Sequence, residues 1–339
     1  MSDTTVRAIQ YGLGPIGSAM ARHVVQRSGM DLVGGVDIDP AKAGRDIGDV
    51  IGLDTPIRVT VALIGFTVAR NLSQVLEKTR ADVVLHTTGS FFDLFEPQIN
   101  EILEGGLDVV STSEELSFPW LAHPEAAARI DAAARRVGKT VLGTGVNPGF
   151  LMDALPLALT ALCQRVDHIA VTRRMNASVR RGPFQTKIGA GMTVGDFTTQ
   201  MNKGRMGHIG LPESMGMVFH TLGKTLTRYE SDVEPVVAEI PVKTDYCEVQ
   251  PGQVRGVKQV ARGYTDQREF MTLTFIAALD EGEDGDTILI GGNPDMEIRL
   301  KGTNGDIATV AIAVNAVRRV CAAPPGLVTM RDLPIVTIW

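Results

Sequence analysis

A chain of 339 residues with 44% hydrophobic and 21% charged side chains has room for two domains and is too apolar to be disordered. Its formal charge of -6 disfavours nucleic acid as a partner, because binding phosphates calls for a basic face. The opening residues lack a signal-peptide core and no uncharged apolar run reaches the roughly 18 residues that span a bilayer, so a cytoplasmic protein without a membrane partner is expected. Cys163, Cys247 and Cys321 are far apart and form no metal-ligand pattern; they are expected as buried thiols in a reducing compartment, with no metal.

Residues 6–37 read as strand, glycine turn, helix and strand, one βαβ unit. Within it "GLGPIG" supplies Gly12, Leu13, Gly14, Pro15, Ile16 and Gly17, a GxGxxG turn with an apolar strand before it and an amphipathic helix after it. In such a turn the first glycine permits the tight bend, the second lets the backbone approach a pyrophosphate, and the third lets the helix lie close to the strand. The helix start offers free amides to the phosphates, and Pro15 occupies a place where no amide is needed. Asp37 ends the second strand, where a carboxylate accepts hydrogen bonds from the adenosine ribose and repels a 2'-phosphate. The expected cofactor is therefore NAD or NADP, with NAD favoured; Arg45 stands near enough to offset the acid.

The alternation continues. A charged helix around 72–79 leads into the strand "ADVVLHTTGSF", and a helix over 95–104 precedes "LDVVSTSEE". An alanine-rich helix stopped by Gly138 then leads to "KTVLGTGVNPGF". Strands and helices in this order predict a Rossmann-type, doubly wound parallel sheet, whose ligands bind at the carboxyl ends of the strands. Thr87, Thr88, Gly89 and Asn147 lie at such ends and are candidate cofactor contacts. His86 is a candidate to stack near a nicotinamide, or a hydrogen-bonded structural histidine.

"STSEELSFPW" places Glu114 and Glu115 at another strand end. Ser111 with Glu114, or Thr112 with Glu115, matches a capping box at a helix start. The same carboxylates can instead serve as a general base beside a cofactor, and the two roles can be divided between them.

After Phe150 the pattern changes. "LMDALPLALTALCQ" reads as an apolar helix, with Cys163 at its end, and Phe150 and Met152 are candidate apolar pocket walls or core residues. "DHIAVTRRMNA" reads as a strand followed by a basic loop. For Arg173, Arg174, Arg180 and Arg181 three roles compete: a carboxylate clamp, a contact to cofactor phosphate, and a solvated face. Strands at about 233–242, 269–279 and 296–301 suggest a mainly antiparallel sheet able to bury an oligomer interface. A last amphipathic helix over 306–322 has the periodicity to pack back on the first domain. The expected domains are 1–150 completed by 305–339, binding the dinucleotide, and 151–304, an α+β domain for substrate binding and dimerisation.

Together "GLGPIG", "HTTGSF", "VVSTSEELSFPW", "GTGVNPGFLMD" and "RRMNASVRRGPFQTKIGAGMT" resemble the amine dehydrogenases related to 2,4-diaminopentanoate dehydrogenase, which are relatives of dihydrodipicolinate reductase and meso-diaminopimelate dehydrogenase. The resemblance runs over most of the chain, and "STSEEL" with "GVNPGF" is its distinctive pair. It implies reversible, nicotinamide-dependent oxidative deamination of an amine to a ketone or aldehyde with release of ammonia, in a homodimer. It also implies a catalytic glutamate within "SEEL", for which we prefer Glu114 with Glu115 close behind, and a pocket that includes Arg174, Asn176, Arg181 and Thr186, with His208 as a further candidate or else a surface histidine. Such a carboxylate suits this chemistry, because an anion stabilises an iminium that a lysine would repel. Two alternatives stay open: a reductase of a carbonyl or cyclic imine, and a dinucleotide-sensing protein without turnover.

Overall fold

In a computed structural model, residues 5–53 and 67–339 are described. The chain divides into two compact units, Met1–Phe150 with Gly305–Trp339, and Leu151–Asn304. Among the described residues no helix is long and apolar enough to cross a membrane.

The strands in chain order are β1 (Val6–Tyr11), β2 (Met30–Val36), β3 (Val83–His86), β4 (Asp108–Ser111), β5 (Thr140–Gly143), β6 (Arg165–Asn176), β7 (Arg228–Val237), β8 (Val242–Lys243), β9 (Glu248–Val249), β10 (Val254–Thr265), β11 (Arg268–Ala278), β12 (Gly285–Asn293), β13 (Met296–Lys301) and β14 (Gly326–Val328). The helices are α1 (Pro15–Val25), α2 (Ile47–Ile51), α3 (Leu72–Leu76), α4 (Phe92–Glu104), α5 (Pro124–Val137), α6 (Ala154–Thr160), α7 (Gly182–Lys187), α8 (Val194–Asn202), α9 (Leu211–Thr221) and α10 (Gly305–Cys321).

The first unit is built on a six-stranded sheet in the order β14-β5-β4-β3-β1-β2, and every pairing in it is parallel. The short apolar runs that form it are buried on both faces, as a parallel sheet covered by helices requires. From β1 the chain moves outward to β2, then crosses to β3 on the other side of β1, which makes a topological switch point. The register aligns Tyr11 with Val36 and His86, His86 with Ser111, and Ser111 with Gly143. The turns that follow these residues therefore leave the sheet along one edge.

Helices α4 and α5 cover the face that presents Ile9, Val84, Val109 and Val141, while α1 and α10 pack together. In α10 the buried residues Val310, Ala313, Val314 and Val317 recur at helical spacing, and the helix lies against β3, β4 and β5. Each such valine contributes about 1.5–3 kcal/mol on full burial. The end of the chain locks this pair. Trp339 lies under the guanidinium groups of Arg27 and Arg318, at 4.3 and 3.7 Å from its ring centre, and its indole N–H donates to Asn315 O at 3.0 Å.

The second unit is a mixed sheet, β13-β12-β6-β11-β10-β7, in which only β6 and β11 run parallel. Phe197 of α8 and Leu211, Met215, Val218 and Phe219 of α9 join its core, where Phe219 meets Phe270 edge-on with ring centres 5.3 Å apart.

Several elements differ from expectation. β10 and β12 were not foreseen: Arg255, Lys258 and Arg262 interrupt the apolar signal of the first, and glycines flank the second. α3 ends at Leu76 rather than at 79. α4 begins three residues early, at Phe92, with Pro97 inside it. The apolar helix after Phe150 is only α6, so Cys163 lies beyond its end. The thiols are also more open than expected, Cys163 and Cys247 being half-buried and Cys321 exposed, all three unbridged.

Candidate functional site

The site is built on the carboxyl edge of the parallel sheet. β1 ends at Tyr11, and Gly12 turns the chain with φ +89°, a conformation that disfavours side chains. A Cβ at Gly17 would stand 1.9 Å from Gly12 O and 2.5 Å from Thr87 Oγ1, so the helix reaches the strand only as glycine permits. Gly14, by contrast, faces open space, with nothing within 4 Å of an added Cβ. It is also the N-cap of α1, without a side-chain cap. Ser18 N–H closes the first helical bond, to Gly14 O, so the amides of Ile16 and Gly17 have no intrahelical acceptor and Pro15 has no amide at all. This is the cradle that a dinucleotide pyrophosphate needs, and these residues fit it.

Two side chains hold the cradle. Thr87 Oγ1 donates to Gly12 O at 2.8 Å, and the buried Gln10 amide donates to Gly12 O at 3.0 Å and to Thr87 Oγ1 at 2.9 Å. Gln10 escaped notice in the sequence, although a glutamine inside the apolar strand "VRAIQY" is its signal. Asp37 Oδ2 accepts from Leu13 N–H at 2.8 Å and from Lys42 Nζ at 3.0 Å, while Oδ1 accepts from Asp39 N–H at 2.9 Å. Burial raises the Asp37 pKa, but the bonds from Asp39, Lys42 and Leu13 outweigh it and hold the carboxyl below its usual range.

His86, at the end of β3, is 0% exposed, which makes it a hydrogen-bonded positioning group and corrects its place as a pocket residue stacked near the nicotinamide. Its Nε2 lies 2.7 Å from Gln98 Oε1, its Nδ1 2.9 Å from Ser111 Oγ, and Thr88 Oγ1 is 3.0 Å from Nε2. Burial pushes its pKa down to about 4, against the opposing bond to Gln98, so the ring is neutral. Because Gln98 Oε1 can only accept, the proton belongs on Nε2, and Nδ1 receives the Ser111 hydroxyl. Ser111 Oγ in turn accepts Ser113 N–H at 3.1 Å, and Ser113 Oγ donates to Gly89 O at 2.6 Å.

That relay anchors the turn carrying the two glutamates. Glu114–Leu116 forms a short 3-10 helix that begins at Ser113 without a side-chain cap, so neither foreseen capping box forms. Gly143 admits this turn: a Cβ there would stand 2.4 Å from Leu116 C and O. Glu115 Oε2 accepts Phe92 N–H, the first amide of α4, at 2.6 Å and lies 3.3 Å from His123 Nε2. The His123 ring stacks on Phe92 at 4.8 Å. Glu115 thus caps a helix distant in sequence. The Glu114 carboxylate is half-buried and takes no hydrogen bond or ion pair among the described residues. Asn147, 9% exposed, follows β5, and Phe150 at the end of this segment is half-buried.

In the second unit the four arginines part company. Arg173 is 2% exposed and pairs with Asp286 of the neighbouring strand at 3.3 Å, while Nη2 donates to Thr303 O at 3.2 Å. None of the three roles expected for it applies: it is a buried cross-strand ion pair. Burial pushes its guanidinium below the usual value, opposed by Asp286. Arg174 is exposed and bonded to Glu281, which also pairs with Arg255 at 3.0 Å. Arg180 is buried over the Phe184 ring. Arg181 is half-buried and its side chain has no hydrogen-bond or ion-pair partner among the described residues.

Asn176 is taken up locally, accepting Ser178 N–H and donating to Gly282 O. Thr186 is exposed and bonds back to Gly182 O within α7. The His208 ring stacks on Phe275 at 4.6 Å. Met152, 0% exposed, belongs to the core of this unit, which corrects its place among the pocket walls. Among the described residues no group of three or more His, Cys, Asp or Glu gathers to hold a metal.

Residues 150–339 match the model of the 2,4-diaminopentanoate dehydrogenase C-terminal domain. The chain is 32% identical over 338 residues to 2,4-diaminopentanoate dehydrogenase of Acetoanaerobium sticklandii, covering 97% of this chain and 94% of that one. It is 23% identical to an amine dehydrogenase of Streptomyces virginiae, covering 97% and 96%. The solved amine dehydrogenase of Mycobacterium smegmatis shares the fold, with a TM-score of 0.85, 24% identity and coverage of 98% of this chain and 97% of that one. This chain belongs to the 2,4-diaminopentanoate dehydrogenase family.

Proposed function

We propose that the protein is a nicotinamide-dependent amine dehydrogenase that converts an amine to a ketone or aldehyde with release of ammonia, and runs in reverse as a reductive aminase. The observation that carries this reading is the division of the two glutamates. Glu115 is committed to α4, while the Glu114 carboxylate is unpaired among the described residues and sits on a turn anchored at the same sheet edge as the glycine cradle. Family membership supports it.

The nicotinamide, when bound, supplies the hydride acceptor. Gly12, Gly14, Gly17 and the start of α1 hold the pyrophosphate, and Asp37 meets the adenosine ribose. Glu114 accepts a proton from the substrate ammonium, leaving the neutral amine that can give up hydride. Glu114 passes that proton on to solvent, and its restored negative charge then stabilises the iminium. As water adds to the iminium carbon, Glu114 takes the proton that water loses and hands it to nitrogen; when the carbon–nitrogen bond breaks and ammonia leaves, Glu114 takes the hydroxyl proton and the carbonyl forms. Within the second unit, Arg181 alone of the four arginines is neither buried nor paired among the described residues, which leaves its guanidinium available to an anionic group.

The assay is oxidation of NADH or NADPH by a ketone with and without ammonium. Ammonium-dependent oxidation is expected. Oxidation independent of ammonium would make the protein a carbonyl or cyclic-imine reductase, and binding without oxidation would make it a dinucleotide sensor. We assign it to the cytoplasm, consistent with three unbridged thiols. We further propose a homodimer joined through the second unit, whose six-stranded sheet offers a broad face for an interface. Light scattering at twice the chain mass is the expected result, and a monomer at micromolar concentration would refute it.

A further inference from the structure

An acid at the end of β2 is expected to exclude a 2'-phosphate by charge. Here that acid is not alone. Lys42 Nζ lies 3.0 Å from Asp37 Oδ2 and 3.5 Å from Asp39 Oδ2, with side-chain exposures of 27% for Lys42 and 10% for Asp37. A tight turn presents it: Lys42 N–H and Ala43 N–H both donate to Asp39 O, at 3.0 and 2.9 Å, and Ala41 N–H donates to Asp39 Oδ1 at 2.9 Å. Arg45, the residue the sequence offers as compensation, instead directs Nη1 to Ala41 O at 3.5 Å and reaches no acid among the described residues.

The acceptor count is informative. A carboxylate has about four lone-pair positions, and Asp37 already receives Leu13 N–H, Asp39 N–H and Lys42. Among the described residues one position remains, on Oδ1. A ribose with both hydroxyls free brings two donors, so taking both requires Lys42 to leave Oδ2. A ribose phosphorylated at the 2' oxygen brings one donor, the 3' hydroxyl, which matches the single vacancy. Its phosphate then needs a cation, and Lys42 is a mobile point charge on a four-carbon stem, about the most adaptable phosphate partner among side chains. Against it stands Asp39, whose 43% exposed side chain is partly screened by solvent.

We propose that Lys42 is a specificity-determining residue of the adenosine-ribose subsite, cancelling the charge of Asp37 and binding a 2'-phosphate, so that the subsite takes both NAD and NADP. The inference rests on the dinucleotide reading of the glycine cradle, and the test separates the two.

Calorimetry of the full-length protein with 5'-AMP and with adenosine 2',5'-bisphosphate reads the subsite without turnover. The wild type should bind both with dissociation constants within about tenfold, a gap of about 1.4 kcal/mol. Lys42→Met should weaken the bisphosphate by about tenfold or more while changing 5'-AMP by less than about threefold, and Lys42→Arg should restore most of the loss. Asp39→Asn should tighten the bisphosphate alone. Binding of 5'-AMP and NADH with rejection of the bisphosphate by the wild type, or equal effects of Lys42→Met on both probes, would overturn the role of Lys42 and leave the cofactor reading standing. If the folded wild type binds neither probe nor NADH, the cofactor reading falls, and this inference with it.

Discussion

Glu114 and Glu115 are neighbours in the chain with unlike surroundings, and that contrast makes the catalytic assignment testable. Glu114→Gln keeps the shape of the side chain but cannot take a proton, so ammonium-dependent turnover should fall by at least about 100-fold. NADH affinity, measured by fluorescence titration, should stay near the wild-type value; unchanged turnover would remove the role from Glu114. His86 makes a separate prediction. Its folded pKa, about 4, lies below its unfolded value of 6.5, so between these limits the unfolded chain binds more protons. Stability is then complete above the unfolded value and is lost as pH falls toward the folded one. The loss should be on the order of 2 kcal/mol between pH 7 and pH 5. Urea denaturation of the wild type and His86→Gln at both pH values checks this, since the variant should lose that part of the slope.

Helix α4 shows how an element can depend on a residue far from it. Phe91 at its N-cap offers no side-chain acceptor, and Pro97 removes an amide from its interior. The start at Phe92 is held by Glu115, 23 positions on, which supplies both a hydrogen-bond acceptor and a charge suited to the positive end of the helix. Glu115→Ala should cost about 1 kcal/mol of stability. By moving the turn that bears Glu114 it should also lower kcat, yet without the near-complete loss expected for Glu114→Gln. A variant as inactive as Glu114→Gln but fully stable would reverse the two roles. The expected start at 95 falls short of Phe92 because the acceptor that holds the first amide lies outside the segment, on Glu115. β10 and β12 escaped for a related reason: their pairing partners, not their own alternation, make them strands. β1 with α1, α5 with Gly138 and the length of α10 were legible, because glycine turns, caps and helical periodicity are written in adjacent residues.

At the scale of the molecule, the first unit is assembled from both ends of the chain. α10 buries seven of its residues, and β14 adds the edge strand beside β5. A chain stopped at residue 304 should therefore fail to fold as a cooperative unit, giving no sharp thermal transition for the first unit and no NADH binding. Recovery of both would show that the segment from 305 is dispensable.

The sequence by itself determined that this is an α/β dinucleotide-type fold with a second, largely antiparallel unit, because the required glycines, caps and periodicities act over a few residues. It also singled out Glu114 and Glu115 as the candidate pair for the chemistry. Only the tertiary structure decided which carboxylate is already spent, that His86 is a buried neutral relay, that Arg173 is an internal ion pair, and that Asp37 shares its charge with Lys42. Each of those outcomes turns on which polar group reaches a given acceptor first, and that is settled by distances across the fold rather than by spacing along the chain.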